Sequence, residues 1–169
     1  MTSICEGNLK YKFNAGWSVA KYDDWAFYRN QFLNCGGRGN KGVDILAMPQ
    51  DDKVLWMIEV KDYSAHRRDK GKGPLSSEVA QKTLDTLAGI FAASVNAVDN
   101  EQEFARRAIK AKQIRVVLHL QQSERQSKLF PYAVDPADVR QKLKKLLKAV
   151  DPRVTVMNTS TNWKHWSAS

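Results

Sequence analysis

Residues 41–63, KGVDILAMPQDDKVLWMIEVKDY, decide how the rest of the chain is read. Two runs within them, 43–48 and 54–61, are rich in Val, Ile, Trp and Met, which suit a pleated, half-buried surface. Between them, Pro49-Gln50-Asp51-Asp52-Lys53 has the composition of a turn. Three charges interrupt this apolar stretch: Asp44, Glu59 and Lys61. Alternation along a strand puts Glu59 and Lys61 on one face and Trp56, Ile58 and Val60 on the other. If the runs pair as a hairpin, Asp44 comes beside Glu59. Two carboxylates that close repel unless one takes a proton or a cation sits between them. Oxygen ligands of this kind suit magnesium or manganese. A lysine beside them can offset a developing negative charge or hold a water.

Asp44 followed by Glu59-Val60-Lys61 on a second strand is similar to the motif of the PD-(D/E)xK nucleases, the restriction-endonuclease-like superfamily. The family's usual Pro before the Asp is Val43 here. The resemblance covers residues 20–120, and its specific part is three residues. It implies that Asp44 and Glu59 bind a divalent metal, Mg2+ or Mn2+, helped by the Val60 backbone carbonyl. It also implies that Lys61 positions or activates the attacking water. Such nucleases often carry another acid on their first helix, for which Asp23, Asp24 and Glu6 are the candidates. They often place a Gln or Lys on the helix after the motif, which here gives Gln81 and Lys82. The plainer reading makes Glu59 and Lys61 an exposed cross-strand charge pair. Their apolar company speaks against it, because sequences tend to break local rules at functional sites.

At 169 residues the chain fits one domain, 1–169, with room for a core. Its fractions of 43% hydrophobic and 27% charged residues are those of a globular protein, and no apolar run approaches a membrane span. The first residues lack the apolar stretch of a secretion signal, and Cys5 and Cys35 have no metal-ligand spacing. A cytoplasmic protein with free thiols is expected. The net charge of +9 is uneven: residues 1–60 balance, so the whole excess lies in 61–169. That asymmetry suits a polyanionic partner, and charge alone fits DNA, RNA or an anionic membrane surface alike.

In chain order, 7–21 alternates apolar and polar residues, which predicts a strand or extended lead-in. Asp23 or Asp24 then suits a helix cap before Trp25, Tyr28 and Phe32, whose helical spacing marks a core stripe. Gly36-Gly37 ends that helix. The loop 35–42 lacks the GK[ST] of a phosphate-binding P-loop but carries Arg38 and Lys41 just before the motif. After the motif, a basic loop holds His66, Arg67, Arg68, Lys70 and Lys72, well placed to meet a phosphate backbone. A helix over 78–97, capped by Ser76 or Ser77, has Leu84, Leu87, Ala88, Phe91 and Val95 as its apolar stripe. Asn100 with Glu103 resembles a capping box for a helix over 101–112, which bears Arg106 and Arg107. Residues 114–120 read as a central strand, Asp135-Pro136 opens another helix, and 153–157 reads as a last strand.

These elements predict an α/β fold. We expect a three-layer α/β/α sandwich with a mixed central sheet, the resemblance supplying an αβββαβ core and residues 135–158 a helix–strand addition. The expected function is a metal-dependent nuclease hydrolysing phosphodiester bonds, an endonuclease on DNA of restriction, repair, recombination or defence type. Asp44, Glu59 and Lys61 would be catalytic, with Gln81, Lys82 and Asp24 in support. Arg38, Lys41, Arg67, Arg68, Lys70, Lys72, Arg106 and Arg107 would hold nucleic acid. A non-catalytic nucleic-acid-binding module and an RNA-cleaving toxin acting on tRNA are the alternatives. A homodimer or a partner subunit is open.

Overall fold

The central hairpin forms. β4 (Ile45–Met48) runs antiparallel to β5 (Val54–Tyr63), with Ile45 opposite Ile58 and Ala47 opposite Trp56. Its turn is closed by the Asp52 N–H donating to the Pro49 carbonyl at 3.0 Å, and Asp52 itself takes a positive φ of 50°. Asp tolerates that conformation, which explains its place in the turn. The computed structural model describes residues 1–65, 68–69, 71–123, 134–161 and 163–169.

Around this hairpin a five-stranded mixed sheet has the order β3-β4-β5-β6-β7. β3 (Ser18–Lys21) is antiparallel to β4, while β6 (Gln113–Gln122) and β7 (Thr155–Met157) extend the sheet in parallel beyond β5. The connections carry α1 (Leu75–Asn96) and α2 (Asp99–Ala108) between β5 and β6, and α3 (Pro136–Leu146) between β6 and β7. Both crossovers step the same way across the sheet. Connections of one hand therefore leave all three helices on one face.

The opposite face corrects the α/β/α expectation. It is covered by an antiparallel three-stranded sheet of β1 (Thr2–Glu6), β2 (Leu9–Phe13) and β8 (Trp166–Ala168). Leu9, Tyr11, Phe13 and Trp166 pack there against Ile45, Ala47, Trp56 and Ile58. The layers are thus sheet, sheet and helices. The alternation at Leu9, Tyr11 and Phe13 was the visible sign of β2; β1 and the docking of the C-terminal tail had weaker signals.

Several local expectations also change. The segment after β3 is a 3-10 turn, Tyr22–Asp24, followed by a π-helical turn, Tyr28–Phe32, and Trp25, Tyr28 and Phe32 are buried as their spacing implies. No side chain caps α1 or α2, so Ser76, Ser77 and Asn100 are not caps. For α3, Asp135 does accept the Ala137 N–H, with Pro136 in the first turn. Of the expected α1 stripe only Leu87 packs on the core: the inner face is Leu75, Val79, Thr83, Thr86, Ile90 and Ala93, Leu84 and Ala88 are exposed, and Phe91 and Val95 are 66% and 62% exposed. Small residues face inward because α1 lies close against the N-terminal aromatics. A Cβ at Gly89 would come within 1.9 Å of the Tyr22 hydroxyl.

Candidate active site

Asp44 is set in place from both sides. On one side, the Val43 N–H donates to Thr86 Oγ1 at 2.9 Å, and the Lys41 N–H donates to Asp85 Oδ2 at 3.0 Å, which ties the segment before β4 to α1. On the other, the Asp44 carbonyl accepts the Tyr22 N–H at 3.0 Å. Its side chain reaches β5, where Oδ2 accepts the Val60 N–H at 2.6 Å. Val60 therefore meets Asp44 through its N–H.

Glu59 lies one residue beyond the Ile45–Ile58 pair and faces the helices, as do Leu55 and Met57. It is fully buried. Its Oε1 lies 3.0 Å from Lys61 Nζ and 2.6 Å from Lys82 Nζ; Lys82 Nζ is also 3.4 Å from Asp44 Oδ1. Its Oε2 is buried without a hydrogen-bond partner among the described residues. Burial, with the charge of Asp44 added, pushes the Glu59 carboxyl up to about 7 against the pull of the two lysines. Burial would lower both lysines, yet Glu59, joined by Glu78 at Lys61 and by Asp44 at Lys82, raises them above their usual range. The alternation along β5 and the hairpin thus bring Asp44, Glu59, Lys61 and Lys82 into one cluster.

The cluster continues to a residue that the motif did not name. Lys61 Nζ also pairs with Glu78 Oε1 at 2.7 Å, and Glu78 Oε2 receives Arg68 Nη2 at 2.9 Å. Burial alone would raise Glu78, but Lys61 and Arg68 hold it down to about 2. Glu78 precedes Lys82 by four residues, one turn of α1, so helical spacing was the signal that could have found it. Arg68 is further fixed by the Tyr63 hydroxyl and the Gly73 carbonyl. Beside Glu78 opens a groove of about 500 Å³ lined by Lys41, Arg68, Lys72, Ser77 and Gln81. Gln81 lines it while donating to Asp85 Oδ1 at 2.7 Å, not to Asp44 or Glu59.

A second acidic group shares Asp44. Carboxylate oxygens of Glu6, Asp23 and Asp44 lie within 4.8 Å of one another, with Lys21 Nζ 2.9 Å from Glu6 Oε2. Burial raises Asp23, and Asp44 adds to the shift. Asp24 does not join them. The 3-10 turn points it to solvent, where it pairs with Arg29. Asp23 and Glu6 therefore hold the place expected of Asp24.

The basic residues separate by position. Lys41, Arg68 and Lys72 line the groove. Arg38 is at its margin, its guanidinium 3.2 Å from Asp85 Oδ1. His66, Arg67 and Lys70 lie outside the described residues. Arg106 and Arg107 are elsewhere. Arg106 donates to the Ser94 carbonyl, and Arg107 grips Asp52 with two nitrogens, at 2.6 and 2.8 Å. Asp52 is in the β4–β5 turn, at the end of the hairpin away from Asp44, so α2 serves the fold there.

No family model matches the chain, and no solved structure matches it. Among curated proteins, a cysteine--tRNA ligase of Neisseria meningitidis serogroup A / serotype 4A is 31% identical over an alignment of 168 residues. The alignment takes in 82% of this chain and 24% of that protein, so the chain spans about a quarter of the length of the curated relative it matches. None of the described helices is long and apolar enough to cross a membrane.

Proposed function

We propose that this chain is a metal-dependent nuclease of the PD-(D/E)xK type, cutting phosphodiester bonds in DNA. The observation that carries the reading is the fully buried Glu59, whose Oε2 has no hydrogen-bond partner among the described residues while Asp44 stands beside it. Two lysines meet its Oε1, but a buried carboxylate oxygen left without a donor is costly, and a proton or a further cation would answer it. The carboxylates offer only oxygen, which fits Mg2+ or Mn2+: Glu6, Asp23 and Asp44 have oxygens within 4.8 Å of one another, and Glu59 joins Asp44 through their shared contact with Lys82. A bound divalent ion would polarise the phosphate and lower the pKa of a water. Within the chain, Lys61 holds a water or offsets charge on the phosphate, and Lys82 holds the two carboxylates together. Lys41, Arg68 and Lys72 receive the backbone phosphates along the groove.

RNA is a second substrate class, favoured by one observation: the curated relative is by its name an enzyme that acts on tRNA. One experiment covers both. Supercoiled plasmid, linear duplex, single-stranded DNA and total tRNA are each incubated with the protein in Mg2+, Mn2+ or EDTA, beside Glu59→Ala and Lys61→Ala. Cutting of DNA that needs metal and vanishes in both variants is expected. Cutting of tRNA alone would move the substrate to RNA. Binding without cutting, equal in wild type and variants, would leave a nucleic-acid-binding module.

A further inference from the structure

α1 has two apolar faces, and only one is used. Its inner face packs on the sheet through Val79, Ile90 and Ala93. Its outer face carries Leu84, Ala88, Phe91 and Val95, all exposed, and Val98 in the following link is 67% exposed. Among the described residues, four of the seven large apolar side chains left exposed lie on this one stripe. A helix apolar on both sides is ordinarily covered on both sides. Within α1, from Leu84 to Val95, the spacing is four, three, four, the repeat with which helices interdigitate along a seam.

We infer that this face is the interface of a two-fold dimer in which α1 packs antiparallel against α1 of a second copy. Two features of the stripe favour a second copy over an unrelated partner. First, the spacing reads the same in both directions. A two-fold axis midway between Ala88 and Phe91 sets Leu84 opposite Val95 of the second copy and Ala88 opposite its Phe91. Phe91 then meets the smallest side chain of the stripe, and each large residue has a complement. Second, the chain carries a net charge of +9, so two copies repel across most orientations. Residues 86–98 contain no charged residue, which gives two cations a neutral approach. The seam from Leu84 to Val95 is about 17 Å long. An apolar strip of that length, with its flanks, falls at the lower end of specific interfaces, so the dimer should be concentration-dependent in the micromolar range.

The inference does not depend on the nuclease reading. Analytical ultracentrifugation of the 169-residue chain from 1 to 200 µM tests it, beside Phe91→Glu and Val95→Glu. Both positions are exposed in one copy, and circular dichroism checks that the variants fold. The expected result is a wild-type transition from 19.2 kDa to twice that mass, with both variants at least tenfold weaker in self-association. A second measurement fixes the geometry. With Cys5 and Cys35 changed to Ser, Ala88→Cys/Phe91→Cys should form an intermolecular disulfide on oxidation, and the same pair moved to Gln81 and Phe91 should not. A wild type monomeric at 200 µM overturns the inference and leaves the stripe to a different partner. A dimer undisturbed by Phe91→Glu overturns it in favour of another surface.

Discussion

Two carboxylates are buried to the same degree in this molecule, and they are treated in opposite ways. Asp151, 1% exposed, follows α3 and is fully answered. Oδ2 takes the Val116 N–H at 2.9 Å, while Oδ1 takes the Arg153 N–H at 2.8 Å and Arg115 at 3.3 Å. Glu59, 0% exposed, has two ammonium groups crowded on one oxygen and nothing on the other among the described residues. Asp151 joins the end of α3 to the start of β6, and the fold supplies each donor it requires. Glu59 joins Lys61 of its own strand to Lys82 of α1 through one oxygen and leaves the other without a donor. A buried charge left partly unanswered is a cost that folding alone does not explain, and on the proposed function that difference separates an acid kept for structure from one kept for chemistry.

The largest expected effect is on cleavage. Glu59→Gln keeps the shape and removes the charge, and it should lower metal-dependent cutting by at least 10³-fold, about 4 kcal/mol in the barrier. Asp151→Asn should leave the rate per folded molecule within about twofold. Single-turnover assays on folded protein measure both. Equal losses in the two variants would erase the distinction drawn between the acids.

Stability should respond in the reverse order. Asp151→Ala strands the Val116 N–H and leaves the half-buried Arg115 without its partner, which should cost roughly 3 kcal/mol, or about 6–12 °C in melting temperature for a chain of this size. Glu59→Gln should cost less at pH 8, because the charge it removes is itself unfavourable there, while Lys61 keeps Glu78 and Lys82 keeps Asp44 as partners. Differential scanning calorimetry of the two variants decides it, and a Glu59→Gln protein melting well below wild type would make Glu59 a structural acid after all.

The pH dependence sharpens the same contrast. The Glu59 carboxyl has a folded pKa of about 7 against an ordinary 4.5, so the folded chain holds that proton more tightly than the unfolded one. Its contribution to stability is therefore full below pH 4.5 and is lost as pH rises to about 7. Glu59→Gln should flatten the melting temperature across that window. On the proposed function Mn2+ would displace the same proton, so its stabilising shift in wild type should be larger at pH 8 than at pH 5.5.

How much of this was legible in the sequence depends on the range of the interaction. The hairpin, the shared face of Glu59 and Lys61, and the approach of Asp44 followed from period-two alternation and one Pro-Asp-Asp turn. Lys82 was named from the resemblance alone, and the structure brought it onto Glu59. The layer opposite the helices was not legible. β1 is a short strand of half-buried residues, and β8 docks from the far end of the chain, a pairing that no local pattern announces. The α1 stripe misled because periodicity finds an apolar face without saying what it faces. Here the larger residues point outward, and Thr83, Thr86 and Gly89 fit the space beneath. Asp24 and Asp23 are adjacent in sequence, and only the 3-10 turn determines which of them turns inward.

The smallest expected effect separates two arginines that charge alone could not distinguish. Arg107 and Arg68 each bind an acidic side chain, but Arg107 holds the β4–β5 turn through Asp52, whereas Arg68 lines the groove beside Glu78. Arg107→Ala should cost roughly 1 kcal/mol of stability, as expected for a partly exposed pair, and leave nucleic-acid affinity unchanged. Arg68→Ala should weaken binding to every sequence alike and lower the slope of log affinity against log salt by about one, as when one phosphate is no longer neutralised. Fluorescence anisotropy with a labelled duplex over 50–200 mM salt reads both slopes. If Arg107 carried the salt dependence and Arg68 did not, the phosphate path would run over α2 at the far end of the hairpin, and the groove beside Glu78 would lose its assigned role.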